Sequence, residues 1–239
     1  MTYADDDMSR EARVYRLING WNRDFLKFVA EKKCPMDFYS FHSYRNIDKT
    51  VDEWKDVSAM LAANGLKVEK HLNEWNNVNM SAEYGRISQA AHYAGMLCAL
   101  QNETDLDLAC FYDAGIAVIG PKVNYKGLFT PYCRPNVGYW PFLCFGELYA
   151  LGTAVPVKID ASYDGLKGVR AVAAKDGEGN AAILIANTGN SVRLTLKGLT
   201  GKMRAYAIDD SRGMYPIGFS ADDLLLPAHG VIFLKTAKK

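Results

Sequence analysis

Two hydrophobic rhythms alternate along the first two thirds of the chain. Over residues 9 to 33, Val14, Leu17, Ile18, Trp21, Phe25, Phe28 and Val29 recur at helical spacing. Ser9 and the aspartates before it are candidate N-caps, and Cys34-Pro35 ends the helix because proline disfavours helical backbone at the residue before it. The stretch MDFYSFHSY then reads as a short, largely apolar strand. TVDE at residues 50 to 53 reads as a capping box, Trp54, Val57 and Leu61 mark the apolar stripe behind it, and Asn64-Gly65 reads as the C-cap. LKVEKHLNEW is a second strand. A third helix is expected from near Ser81 to about Gln101, with Ile87, Ala91, Ala94 and Leu97 inward. DLDLACFYD, residues 105 to 113, is a third strand, and a loop rich in Gly and Pro covers roughly 114 to 138. YWPFLCFGELYALG closes the section as a fourth helix, with Pro141 tolerated in its first turn and Gly152 as the stop.

Strands that alternate with helices of this length imply parallel βα units, whose strands are expected to be covered on both faces. After about residue 156 the texture changes. VRAVAAKDGEGNAAILIANTGNSVRLTLKGL splits β-rich runs at DGEGN and NTGNS, and AHGVIFLKTAKK ends the chain as a strand with a basic tail. Short strands with Gly and Asn turns read as antiparallel β, a small β-sandwich. The expected class is therefore α/β plus all-β, with a domain boundary between residues 155 and 156.

Composition narrows the functional classes. Hydrophobic residues are 49% and charged residues 23%, as in ordinary soluble domains. Lys plus Arg is 28 against 27 for Asp plus Glu, which gives no electrostatic case for nucleic acid or an anionic membrane. No apolar run approaches a membrane span. The five cysteines (Cys34, Cys98, Cys110, Cys133 and Cys144) are odd in number and form no CxxC pair, so neither a zinc site nor a disulfide framework is expected. MTYADDDMSR has neither a basic n-region nor an apolar h-region. As written, the chain reads as a soluble, cytoplasmic protein with reduced thiols. HExxH and Gly-rich phosphate loops are absent from the sequence, so no metal and no cofactor is expected.

The chemistry-bearing residues gather at strand ends. The first strand ends in His42 and Tyr44, the second in Asn73, Glu74 and Asn76, the third in Tyr112 and Asp113. Sites of parallel α/β folds form at the carboxyl ends of the strands, so three strands ending this way is a joint signal. His71, three residues before Glu74, is expected on the opposite face, in the helix layer, and His92 as a packed or surface histidine of the third helix.

KHLNEWNNV resembles the nucleophile strand of the clan A retaining glycoside hydrolases, and DFYSFHSY resembles the strand before it, with its His-x-Tyr pair. Together, CPMDFYSFHSY and LNEWN resemble glycoside hydrolase family 39, the β-xylosidases and α-iduronidases. The resemblance implies that residues 1–155 are the C-terminal half of a (β/α)8 TIM-type barrel and that 156–239 are the β-sandwich following it. It implies Glu74 as nucleophile, His42 and Tyr44 as catalytic partners orienting it, and a carbohydrate substrate contacted by Asn73, Trp75, Asn76, Tyr112, Asp113 and Trp140. Trp75, Trp140 and Tyr112 are candidates to stack on a sugar face, although each alone also suits a core. The family's acid/base sits in an Asn-Glu-Pro motif, which does not occur here. Glu83, Glu103 and Glu147 fall at places that do not replace it. The expectation is a fragment carrying the nucleophile without the acid/base, weakly active or inactive alone, of a parent enzyme that could be exported. Exposed half-barrel edges imply a homo-oligomer. The competing reading is a carbohydrate-binding or structural assembly protein without turnover.

Overall fold

The computed structural model describes residues 10–77, 84–115, 117–119, 122–124, 127–160, 162–199 and 201–237. Its first part is α1 (Arg10–Lys32), β1 (Phe38–Ser43), α2 (Ile47–Ala63), β2 (Glu69–Trp75), α3 (Ile87–Glu103) and β3 (Leu108–Phe111). The strands pair in parallel in the order β1-β2-β3, because each return runs through a helix rather than a hairpin. A short hairpin, β4 (Ala117–Ile119) and β5 (Lys122–Asn124), lies within the stretch expected to be loop, and α4 (Tyr139–Tyr149) follows. The expected start of the third helix near Ser81, and with it Glu83, lies outside the described residues, as does Ser9.

The strand faces differ from expectation. In β1 alternate residues Tyr39 and Ser43 are buried and Phe41 packs beside them, facing the helices. Phe38 is 48% exposed and Leu108 of β3 is 44% exposed. The parallel sheet is thus covered by helices on one face, not two, among the described residues. The same holds for α1. Leu26 is buried against Tyr39, Val57 and Leu61, and Val29 is buried too, whereas Ile18, Trp21 and Phe28 of the expected inward stripe are more than half exposed. The stripe is wider than the surface α1 has to pack on. Helix α2 also starts earlier than TVDE suggests. Asn46 is its cap, accepting from the Lys49 N–H at 3.0 Å, which puts Thr50 inside the helix, fully buried. Its end is as expected, with Asn64 as C-cap and Gly65 at φ +66°, where only glycine sits without strain.

The remaining chain forms a six-stranded antiparallel sheet in the order β11-β10-β13-β8-β7-β6. Its strands are β6 (Thr153–Val155), β7 (Val169–Lys175), β8 (Ala181–Asn187), β10 (Met203–Asp209), β11 (Gly213–Ile217) and β13 (Val231–Thr236). The sheet takes in Thr153–Val155 as an edge strand, so it begins just before the boundary read from sequence texture. A two-stranded ladder, β9 (Val192–Leu194) with β12 (Leu224–Leu226), packs on one face against Ile185, Ile232 and Leu234. Helices α3 and α4 pack on the other, where Ala90, Ala91, Ala94, Cys98, Cys144 and Leu148 meet Val172, Leu184, Ile208 and Phe233. Burial on both faces is why β8 and β13 read as continuous apolar runs rather than alternating ones.

His92 lies in α3 with its ring buried and its Nε2 without a hydrogen-bond partner. Burial, and after it the Arg170 charge, lowers it from 6.5 to about 4. The folded protein therefore holds His92 neutral where the unfolded chain would protonate it. That contribution is fully present above pH 6.5 and is lost as pH falls toward 4. Urea-unfolding midpoints are expected to drop across that window, and His92→Gln to flatten the drop. Phe233, fully buried, bridges the sheet and the helices. Phe233→Ala is expected to cost ~3–5 kcal/mol in urea unfolding.

Candidate active site

The site is built where β1 and β2 end. Pairing runs Phe38↔Glu69 through Phe41↔Leu72, then resumes at His42↔Glu74, so Asn73 has no partner residue on β1. On the other side Leu72 pairs with Ala109 and Trp75 with Phe111, which leaves Asn73 and Glu74 opposite Cys110 alone. Asn73 is thus the extra residue of a β-bulge. The bulge resets the alternation: Leu72 and Trp75, three apart, both face the helices, and Glu74 faces the open side with His42.

The Tyr44 hydroxyl donates to Glu74 Oε2 at 2.5 Å, and His42 Nδ1 lies 3.4 Å from the same oxygen. Oε1 accepts no hydrogen bond among the described residues. The Glu74 side chain is 33% exposed and that of His42 52%. Burial first, then the hydrogen bond and charge of Glu74, push the Tyr44 phenol well above its usual range, with smaller contributions from Tyr112 and Asp113. Tyr112 sets its ring edge to that of Tyr44 at 6.3 Å. Asp113 follows, and its Oδ1 is buried with no hydrogen-bond partner.

Beneath this surface a buried polar chain ties the strand ends to α3. Asn76 donates to the Tyr112 carbonyl at 2.7 Å, and its Oδ1 accepts from the Tyr93 hydroxyl at 3.0 Å. That hydroxyl accepts from Gln89 Nε2 at 3.0 Å, and Gln89 Oε1 accepts from the Gly85 N–H at 2.7 Å. Gln89 and Tyr93 were missed by the sequence reading. Their signal was available: a glutamine and a tyrosine at i and i+4 in the stretch Gln89–Ala99, whose other residues are small or apolar apart from His92.

Of the nine residues singled out, the structure brings Glu74, His42, Tyr44, Tyr112 and Asp113 together, with Asn73 as the bulge beside them. The other three are elsewhere. Trp75 is 1% exposed, stacked on Phe142 at 5.8 Å and edge-on to Phe111 at 5.0 Å, a core aromatic with no free face for a sugar. Asn76 is equally buried and spent on the network above. Trp140 packs between α4 and β11, so close to Gly213 that a Cβ there would come within 2.5 Å of its indole nitrogen. His71 was placed in the helix layer but stacks on Phe38, on the open face, at 4.5 Å, because the bulge puts residues three apart on one side. Glu103 pairs with Arg170 at 3.1 Å and Glu147 with Lys235 at 2.7 Å, both on the second sheet. Among the described residues no group of three or more His, Cys, Asp or Glu could hold a metal ion, and no helix is long and apolar enough to cross a membrane.

No family model and no curated protein matches the sequence. Solved structures do match. A glucosidase from Croceicoccus marinus superposes with a TM-score of 0.68 at 16% identity, covering 91% of this chain and 57% of that one. A GH39 β-xylosidase from Caulobacter crescentus gives 0.67 at 16% identity, over 92% and 55%. The GH39 enzyme from Xanthomonas axonopodis pv. citri gives 0.59 at 15% identity, over 91% and 58%. The chain spans a little over half the length of each of these structures. What it shares with the glycoside hydrolases of family 39 at this identity is the fold, across nearly all of its own length.

Proposed function

We propose that the chain is the nucleophile-bearing part of a retaining glycoside hydrolase. Residues 1–155 then correspond to the C-terminal half of a (β/α)8 barrel, and 156–239 to a β-sandwich. The observation that carries the reading is the convergence of the Tyr44 hydroxyl and the His42 imidazole on one oxygen of Glu74, at the carboxyl ends of adjacent parallel strands. In a retaining glycosidase one carboxylate attacks the anomeric carbon to form a glycosyl ester while a second carboxyl about 5 Å away protonates the departing oxygen; water then releases the sugar. Glu74 suits the first role. Its Oε2 is held by Tyr44, and Oε1, free of protein donors among the described residues, attacks. Asp113 suits substrate binding, because its orphan Oδ1 would accept from a sugar hydroxyl and so offset a desolvation cost of ~1–3 kcal/mol. Tyr112, 42% exposed beside Tyr44, is an aromatic of the site that suits contact with a sugar ring. The acid/base would come from outside this chain.

General acid help is worth on the order of 10²–10⁴-fold and matters least when the leaving group departs unprotonated. The chain is therefore expected to be labelled on Glu74 by a dinitrophenyl 2-deoxy-2-fluoroglycoside, as read by peptide mass spectrometry, while leaving alkyl glycosides almost untouched. Glu74→Gln is expected to abolish labelling. Labelling that persists in this variant, or ordinary turnover of alkyl glycosides by the isolated chain, would overturn the reading.

The same reading gives the exposed apolar surface a role. Ile18, Trp21 and Phe28 leave an exposed apolar flank on α1, and the outer edge of β1 has no partner strand among the described residues; such an edge invites pairing. Copies of the chain are proposed to associate through this flank. Light scattering is expected to give a mass above 26.5 kDa that falls toward the monomer in Trp21→Glu. A monodisperse wild-type monomer would count against the association.

A further inference from the structure

The turn from β1 into α2 holds an acid in an unusual place. Glu53 lies on the face of α2 that packs against the sheet, with its side chain only 15% exposed. Its Oε2 accepts from the Ser43 hydroxyl, and its Oε1 accepts from Arg45 Nε at 2.8 Å. Ser43 Oγ also meets Thr50 Oγ1 at 2.9 Å, one turn earlier on the same face of α2. Ser43 is buried, and its carbonyl accepts from the Asn76 N–H at 3.3 Å. Asn46, next after Arg45, is locked as the helix cap. One carboxylate thus grips the residues immediately before and after Tyr44. A carboxylate is costly to bury unless it is paired and hydrogen-bonded, and an apolar residue would pack this face of α2 without that cost. The arrangement does something that packing alone does not require: it ties the residues on both sides of Tyr44 to α2.

We infer that Glu53 is a positioning residue for Glu74, acting through Tyr44. By holding Ser43 and Arg45 it sets the backbone from which the Tyr44 side chain projects, and so aims the hydroxyl at Glu74 Oε2. The catalytic consequence rests on the reading of Glu74 as the nucleophile; the geometric part does not. The distinction matters because a displacement of about 1 Å in a reacting group costs on the order of 10²-fold in rate.

The test places 3-fluorotyrosine at position 44 of the full chain and follows its fluorine resonance through a pH titration. The groups facing this phenol are Glu74, His42, Tyr112 and Asp113. The wild-type titration midpoint is expected above that of free fluorotyrosine. Glu74→Gln lowers it by removing the carboxylate. Glu53→Gln, which can no longer accept from both Ser43 and Arg45, is expected to lower it too, with no further shift when the two changes are combined. A Glu53→Gln variant with a reduced Tm but an unmoved midpoint overturns the inference, since a merely structural clamp would behave that way. If Glu53→Gln does not fold, Arg45→Met releases the carboxylate from one side only, and an unmoved midpoint there overturns it equally. Labelling of Glu74 by the fluoroglycoside is expected to slow on the order of 10²-fold in Glu53→Gln. A wild-type chain that takes no label, while the Tyr44 midpoint moves as expected, supports the positioning and overturns only the nucleophile reading.

Discussion

Helix α3 has almost no solvent face, and the arrangement of everything else follows from that. From Ser88 to Ala99 every residue is buried. Ala90, Ala91, Ala94 and Cys98 press on the six-stranded sheet, while Tyr93, Met96, Leu97 and Ala99 press on the parallel one. Small residues let the layers come close. At Gly95 a Cβ would stand 2.8 Å from Ile47 Cδ1 and 3.6 Å from Thr188 Cγ2, so the start of α2 and the end of β8 both reach the helix at this point. A helix buried all round cannot be stabilised by an amphipathic stripe; it needs apolar neighbours on every side. Here the two sheets supply them, so neither the parallel sheet nor the antiparallel one is packed without the other.

The candidate site inherits this rigidity. Gln89 and Tyr93 project from the same helix and hold Asn76, which in turn holds the carbonyl of Tyr112. The ends of β2 and β3 are therefore referenced to α3, and the end of β1 is referenced to α2 through Glu53. Glu74 stands between two helix-anchored strand ends with a phenol and an imidazole aimed at a single oxygen. Buried polar chains of this kind are costly when one member is missing, since each orphaned group forfeits its solvation. Among the described residues of the site the orphan is Asp113 Oδ1, buried beside Tyr44, and it is the atom that the proposed sugar hydroxyl would satisfy.

How much of this was legible in the sequence depends on the kind of signal. Element order followed from periodicity; residues at the ends of successive strands singled out His42, Tyr44 and Glu74, and the resemblance to family 39 implied that the first two orient the third. The faces were harder. Alternation by two puts His71 and Glu74 on opposite sides, and the unpaired Asn73 breaks that count, so His71 lies on the face opposite to the expected one. Trp75, Asn76 and Trp140 are residue types that suit a sugar site or a core equally, and only burial separates the two. TVDE has the letters of a capping box, yet Asn46 four residues earlier captures the helix start. The inward stripe of α1 was read correctly as apolar, but the hydrophobic pattern does not say which part of a wide stripe has something to pack on. Gln89 and Tyr93 escaped because a polar residue inside a helix normally signals a wet face, and this helix has none between Ser88 and Ala99.

The unpaired Asn73 marks the one place where β2 carries a residue more than either neighbour. A substitution at 73 keeps the count of residues between Leu72 and Trp75, so Glu74 still emerges beside His42. Loss of Asn73 alone would leave Leu72, Glu74 and Trp75 in plain alternation opposite Phe41, His42 and Ser43, with the carboxylate still on the open side and only the local bend gone. Loss or gain of a residue elsewhere in β2 has no such slack, because a one-residue slip turns every side chain beyond it to the other face. In a lineage descending from this chain, position 73 is where β2 would be expected to tolerate both exchange and deletion.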